Sequence, residues 1–260
     1  MLGMLKRWRE DRRLDRLELP PGTWESVVAA WPVLQGYPHA QRERIRELSL
    51  RFMLRKSFES GGDLRLDEQM CLRVAAMAAV PVLELGLDWY EGWHSVILYP
   101  GEFIPGQEYE DEYGIVHLDR HPLSGEAWPQ GPVILSWDDV VAANGEQAYN
   151  VVIHEMAHKL DMLADGANGA PPLHRDMDPA AWRDAFTAAW EDLEQKAAQE
   201  DEDLPLDPYG LENPGEFFAV ACEAFFEAPK HLSTTWPDVY AQLGAFFRQD
   251  PLKAMPGAGP

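Results

Sequence analysis

The sequence has little cysteine, no long apolar runs and few positive charges, and each shortage excludes something. Only two cysteines, Cys71 and Cys222, occur in 260 residues. They lie far apart and form no C-x-x-C pair, which argues against a disulfide framework or a thiolate zinc site and suits free thiols in a reducing cytoplasm. No stretch approaches the ~18 consecutive apolar residues of a membrane span. The N-terminus MLGMLKRWREDRRLDR carries basic residues with no apolar run behind them, so it does not read as a signal peptide. Lys and Arg number 22 against 44 Asp and Glu, a net charge of −22. Six of those basic residues and only three of the acidic ones fall within the first sixteen positions, so the remainder is more acidic still. Such a body repels phosphate backbones and anionic lipid, which argues against direct nucleic-acid or membrane binding. It would attract a basic partner, including a protein that itself binds DNA, although solubility alone accounts for many acidic surfaces.

What is present suits a folded core. Hydrophobic residues make up 46% of the chain, ample for one large domain, or one domain with a helical extension. No internal repeat or low-complexity tract interrupts it. The basic N-terminal segment reads as a short exposed helix with Leu5, Trp8 and Arg12 on one side. LPPGTWESVVAAW reads as a turn and a short helix capped by Thr23. Ile45, Leu48 and Phe52 share one face of an amphipathic helix after Pro38. Asp67 is placed to cap a helix through EQMCLRVAAMAAV, which is apolar nearly all round and therefore expected to be buried. HSVILYP, YGIVHL and PVILSW are short β-branched or aromatic runs bounded by Gly, Pro and Asp, and they read as strands. Helical patterns return after Asp138: about 146 to 163, PAAWRDAFTAAWEDLEQKAA, NPGEFFAVACEAFFE and WPDVYAQLGAFFRQ. Helices around a small central sheet give an α+β class.

The chemistry concentrates in NVVIHEMAHKLD, residues 150 to 161. Positions i and i+4 of a helix lie about 40° apart, so His154 and His158 point the same way and can offer two imidazole nitrogens to one ion. Glu155 lies about 100° from the first and 60° from the second. It is too far round to ligate easily, but is well placed to take a proton from a metal-activated water. That is the arrangement of the H-E-x-x-H zinc hydrolases. With eight histidines in the chain, chance would supply only about 0.02 such motifs. A second pair with the same spacing, His117 and His121, ends a strand and runs into Pro122, so it reads as surface or loop histidine.

A catalytic zinc needs a third protein ligand and an open fourth position. Asp161 falls in the same sector as His158, but one helix turn rarely wraps an ion on three sides. It reads instead as a carboxylate orienting an imidazole or as a contact at the helix C-terminus. A metzincin would carry Gly at position 161 and His or Asp at position 164; Asp161 and Ala164 exclude that class. Two further candidates, Glu216 and Glu223, stand seven apart on one face of NPGEFFAVACEAFFE. Asn213 followed three residues later by Glu216, with Pro214 between, is also a capping-box pattern. Spacing alone leaves both glutamates open, with a modest preference for Glu216.

HEMAHKLD, GPVILSWDDV before it and NPGEFFAVACEAFF after it together resemble the Mlc titration factor A family of bacterial zinc metallopeptidases. LRLDEQMCLRVAAMAAVPVLELGLDWYEGWHSVILYPGEF is similar to the same family's helix-then-strand stretch, and the resemblance spans about residues 20 to 250. The family's core is similar in turn to the protease domain of anthrax lethal factor. The resemblance implies His154, His158 and Glu216 as ligands of one Zn2+ per chain and Glu155 as general base. Tyr209, in DPYG, matches the tyrosine that lethal factor places over the scissile carbonyl. It further implies aminopeptidase-like activity on peptides, and, for the founding branch, binding and inactivation of Mlc, a glucose-responsive repressor of sugar-transport genes.

The resulting expectation is a cytoplasmic, zincin-like α+β protein, mostly helical, with a small central sheet. Residues 1–66 are expected to form a helical extension packed on a metallopeptidase core of 67–250, followed by a flexible tail, 251–260. Its partners would be a peptide substrate and a basic DNA-binding repressor similar to Mlc. The alternative is a repressor-sequestering protein whose zinc site is incidental to binding. A closed structural metal site is the weakest reading, because it would need a fourth protein ligand and no base.

Overall fold

The computed structural model describes residue 8 and residues 10–14, 16–17, 19–103, 108–110, 116–118, 124–128, 130–143, 148–199 and 204–254, with 108–110 and 116–118 as backbone only. Three N-terminal helices, α1 (Thr23–Ala30), α2 (Val33–Gly36) and α3 (His39–Arg55), lead into strand β1 (Ser57–Ser60). Helix α4 (Glu68–Ala79) and a 3-10 turn (Leu87–Tyr90) precede β2 (Ser95–Tyr99), β3 (Glu108–Glu110), β4 (Val116–Leu118), β5 (Gly125–Ala127) and β6 (Val133–Ser136). The rest is helical: α5 (Trp137–Ala142), α6 (Val151–Asp161), α7 (Pro179–Ala198), a 3-10 turn (Pro208–Leu211), α8 (Pro214–Glu227), α9 (Pro229–Thr235), α10 (Pro237–Phe247) and α11 (Pro251–Ala254). The architecture is α+β.

The main sheet has the order β1-β2-β6-β5. The first three strands are parallel, with Val96 opposite Val133, and β5 runs antiparallel to β6, with Glu126 opposite Ile134. Val96, Leu98, Val133 and Leu135 are fully buried, as alternating side chains on a covered sheet face require. β3 and β4 form a separate antiparallel ladder, so the YGIVHL strand lies outside the main sheet. His117 is on β4, and His121 falls outside the described residues.

Local sequence explains most element boundaries. Asp67 caps α4, its carboxylate accepting from the Met70 N–H. α4 is buried almost throughout, as its apolar circumference demands. α1 corrects the expected cap: Gly22, with φ 82°, precedes the helix, and Thr23 is its first residue. The Thr23 hydroxyl donates back to the Pro20 carbonyl at 2.7 Å instead of receiving an N–H from the helix. Arg12 stacks over Trp8 with its Cζ 4.3 Å from the ring centroid, while Leu5 falls outside the described residues. At the other end, Pro251–Ala254, within the stretch expected to be a flexible tail, form a helical turn with Pro251 buried; 255–260 are outside the described residues.

The core wraps α6. Val151, Val152, Ile153, Met156, Ala157 and Leu160 are all buried, and each large side chain among them contributes about 1.5–3 kcal/mol to holding the helix in place. A group of rings, including Trp182, Phe186, Phe217, Phe218 and Phe246, clamps α7, α8 and α10 together. The functional side chains therefore project from two firmly packed helices. Among the described residues no helix is long and apolar enough to cross a membrane.

Candidate metal centre

Helix α6 starts later than its pattern suggests, at Val151, because Asn150 caps it: the Asn150 amide oxygen accepts from the Ile153 N–H at 3.1 Å. This cap fixes the rotation of the helix and turns His154 and His158 toward α8. Asn213 caps α8 in the same way, accepting from the Glu216 N–H at 3.1 Å. Only half of a capping box forms, because the Glu216 side chain turns to the imidazoles rather than back to Asn213.

Three donor atoms converge between the helices. Glu216 Oε2 is 2.9 Å from His154 Nε2 and 3.2 Å from His158 Nε2, and the two nitrogens are 3.2 Å apart. Ligands at roughly 2.0–2.1 Å from a tetrahedral ion would be separated by about 3.3 Å, so this triangle fits one cation. The chemistry agrees: Glu223 Oε1 lies 2.8 Å from His154 Nδ1. The His154 Nδ1–H donates to an ionised Glu223, which leaves the lone pair on Nε2, facing a carboxylate oxygen that also carries lone pairs. A cation between them resolves that contact. Among the described residues, His154, His158 and Glu216 form the group that could hold a metal ion. Burial would raise the Glu216 carboxyl, but its contacts with the two histidines override this and hold it down at about 2.

The expected site residues take different places. Glu155 is 3% exposed, lies outside the donor triangle, and has one oxygen, Oε2, with no partner among the described residues. Burial raises its pKa, against the lowering influence of the nearby histidines. Tyr209 sits on the 3-10 turn before α8, 43% exposed, its ring centroid 6.1 Å from that of His154. Burial of its hydroxyl and the charge of Glu216 push its pKa up, so it stays a proton donor. Asp161 touches no imidazole nitrogen: its Oδ2 accepts from the Gly169 N–H at 2.7 Å and pins the loop after α6. That loop packs on the start of α8, where a Cβ on Gly215 would lie 2.7 Å from the Ala167 carbonyl oxygen. Asp161 thus supports the turn that carries Glu216.

The carboxylate that orients an imidazole from outside the triangle is Glu223, which the sequence offers only as a rival ligand. It opens a buried chain running away from the triangle. Its second oxygen accepts from the Asn150 N–H, the Asn150 amide donates to Glu227 Oε1 at 2.6 Å, and Trp31 Nε1 donates to the same oxygen at 2.9 Å. Burial pushes Glu227 up to about 7 despite both hydrogen bonds. The seven-residue spacing from Glu216 was the one available signal for Glu223. Nothing in the local sequence signals Trp31, which is 196 residues from Glu227 along the chain.

A cavity of about 320 Å³ opens beside the triangle, with His154, Glu155 and Tyr209 in its wall and β5 along one side. β5 ends the strand order, so its outer edge is unpaired among the described strands. Lys159, on α6, donates to the carbonyls of Trp128 and Gly131 and so anchors the β5–β6 hairpin turn to the helix. At Gly125 the strand passes so close that a Cβ would overlap Glu155 Oε1 and lie 2.8 Å from Val151 Cγ2. Gly125→Ala is therefore expected to displace Glu155 while sparing the donor triangle. Metal content should be unchanged, and if Glu155 is the general base its displacement should lower turnover roughly 10- to 100-fold. Unaltered turnover in a metal-replete Gly125→Ala protein would show that the contact does not position Glu155.

Two imidazoles and a carboxylate converging beside an uncommitted, buried glutamate are the equipment of a metal-dependent hydrolase. The comparison with known proteins specifies the class. The chain belongs to the glucose-regulated metallo-peptidase M90 family, which it matches over residues 5–248. It is 38% identical to Mlc titration factor A of Cronobacter sakazakii over 236 residues, covering 90% of this chain and 88% of that protein. It is 37% identical over 246 residues to the Edwardsiella ictaluri protein of the same name, covering 92% and 94% of the two chains. The Pectobacterium atrosepticum protein of that name is 35% identical over 230 residues, covering 88% and 86%.

Proposed function

We propose that this protein is a zinc-dependent, aminopeptidase-like hydrolase with a zincin-like core, working in the cytoplasm. The carrying observation is the triangle of His154, His158 and Glu216 donor atoms with Glu155 outside it. His154, His158 and Glu216 hold the ion, and Glu223 fixes the His154 tautomer. When bound, zinc polarises the scissile carbonyl and acidifies water. Glu155 accepts the proton of the attacking water and delivers it to the leaving amine, a role helped by a raised carboxyl pKa. The Tyr209 hydroxyl donates a hydrogen bond to the developing oxyanion. The open edge of β5 supplies backbone N–H and C=O groups to an extended peptide, adding it as a further strand.

The relatives carry the name of a factor that titrates Mlc. That name supports a second role for this chain: capture of a basic, DNA-binding repressor similar to Mlc by its acidic surface. The two roles use different residues and are compatible. Protein purified without chelators is expected to contain one zinc per chain and to release fluorophore from aminoacyl amides, with both properties lost in His154→Ala. Full occupancy by zinc without hydrolysis of any peptide would leave repressor capture as the function and the metal as incidental.

A further inference from the structure

We infer that Lys159, Trp93 and Lys56 form a brace that sets the position of β5, which makes them positioning residues for a peptide bound along that strand. The inference rests on the peptidase reading and assigns the part of the molecule that holds its substrate strand. β5 depends on outside support. It is three residues long and is paired only with β6 among the described strands, and a short hairpin in water is marginal at best. The turn between the two strands has only long backbone bonds of its own, from the Trp128 N–H to the Pro132 carbonyl at 3.3 Å and from the Gly131 N–H to the Trp128 carbonyl at 3.2 Å.

The support comes from buried lysines. Lys159 is 3% exposed, and its ammonium, which binds the Trp128 and Gly131 carbonyls, also stands 4.8 Å from the centre of the Trp93 indole ring. Lys56 Nζ stands 3.6 Å from the same ring centre and donates to the carbonyls of Tyr90 and Trp93, each at 2.6 Å. Edge contacts with Phe52 and Tyr90, at centroid distances of 5.9 and 6.1 Å, keep the indole from turning away. Neither lysine has a carboxylate partner among the described residues, so carbonyl oxygens and one ring face are what offset their desolvation. Burial, and next the charge of Lys159, pull Lys56 down to about 7, so the two ends of the brace are electrically coupled. Apolar packing would hold a turn at less cost than two buried amines. The amines do what packing does not: they fix the backbone at 90–93 and at 128–131 to α6 around one point. The effect reaches the site because Gly125, at the far end of β5, lines the cavity and lies against Glu155. A turn that drifts carries the N–H and C=O groups of β5 out of register with an extended peptide. The donor triangle, held by α6 against α8, stays where it is.

The assay uses zinc-loaded full-length protein with tetra-alanine and its analogues N-methylated at the third or fourth residue, which cannot donate to a neighbouring strand there. The wild type should hydrolyse a methylated analogue about 3- to 10-fold less well, the worth of one hydrogen bond. Lys159→Met keeps the apolar stem without the charge. It should raise KM for tetra-alanine roughly 10-fold or more, as loss of charge-assisted hydrogen bonds requires, with kcat and zinc content close to wild type. It should also lose the discrimination against methylated analogues, and amide hydrogen exchange at 125–127 should quicken. Lys159→Arg keeps a charged donor able to stack on an indole and should recover most of the loss. Lys56→Met and Trp93→Leu lie off α6 and should act in the same direction. Lys56→Met combined with Lys159→Met should fall short of the product of the separate effects, because one ring serves both. An unchanged KM in Lys159→Met, or a fall in kcat alone, would overturn the brace. If Lys159→Met fails to fold or to hold zinc, unchanged KM and exchange in both Lys56→Met and Trp93→Leu would overturn it instead. Equal hydrolysis of plain and methylated peptides by the wild type would also overturn it while leaving a peptidase that does not use β5. Hydrolysis of none of the peptides by zinc-replete wild type would remove the peptidase reading and this inference with it.

Discussion

Glu155→Gln is expected to keep its zinc and lose turnover by roughly two to four orders of magnitude, the usual worth of a general base. The substitution is nearly isosteric and touches none of the three converging donor atoms. It also removes a charge from a side chain that is 3% exposed and has an unpartnered oxygen. Folding stability should change little, because the desolvation cost removed with the charge is offset by the lost attraction of the two histidines. Turnover within tenfold of wild type, at full zinc occupancy, would remove Glu155 from the base role. The same inactive protein is the right bait for the repressor. If capture depends on the acidic surface, Glu155→Gln should bind as the wild type does, with an affinity that falls as salt screens the opposed charges. Binding that ignores salt would keep the partner and discard the electrostatic reason for it.

The second large effect separates the two glutamates of α8. Glu223→Gln keeps a hydrogen-bonding group beside His154 Nδ1 but loses the charge that fixes its tautomer. It should weaken zinc binding by roughly 10- to 100-fold, as outer carboxylates of metal sites do. Glu216→Gln removes a donor that meets both imidazoles, and should weaken binding by orders of magnitude beyond that. The α8 cap is not at stake, since Asn213 bonds the backbone N–H of residue 216 and not its side chain. Metal-free Glu216→Gln should therefore melt within about 1 kcal/mol of metal-free wild type, the scale of a single cap interaction. Competition with a chelator reads both affinities. Loss of zinc from Glu223→Gln but not from Glu216→Gln would exchange the roles of the two residues.

Parts of this architecture could be read directly from the sequence where a single residue or a clear period determined them. Asp67 had no competitor as a cap, and Val96, Leu98, Val133 and Leu135 alternate as a covered sheet requires. Strands β1 and β5 gave no such signal. Ser57–Ser60 is a mostly exposed edge, and Gly125–Ala127 is three residues of low β-propensity held in place by β6 and by Lys159. β5 matters for function for the reason that hid it: glycine at 125 lets the strand approach Glu155. α9 has no sequence signal because APKHLSTT is short and carries no apolar stripe; its Leu232 and Pro229 are buried by tertiary packing. At the site, helical spacing aligned the two histidines and Glu155, and could only rank Glu216 against Glu223. Which carboxylate meets which nitrogen depends on how α8 lies against α6, and α8 is in turn held by rings distant in the chain, Trp182, Phe186 and Phe246, packed on its Phe217 and Phe218.

The buried chain from His154 to Trp31 limits how this protein can be divided. A fragment starting at residue 67 would retain the whole H-E-x-x-H helix and all of α8, and on paper would be a complete catalytic unit. It would lack β1, which pairs with β2, and it would lack Trp31, leaving Glu227 with one donor in place of two. Asn150 would then cap the histidine-bearing helix while bound to an under-satisfied buried carboxylate, in a dielectric where such a deficit is costly. The metal centre is thus not a portable cassette. Its alignment is shared with a segment that contributes no ligand, so recombination between relatives at this junction would separate residues that operate as one piece.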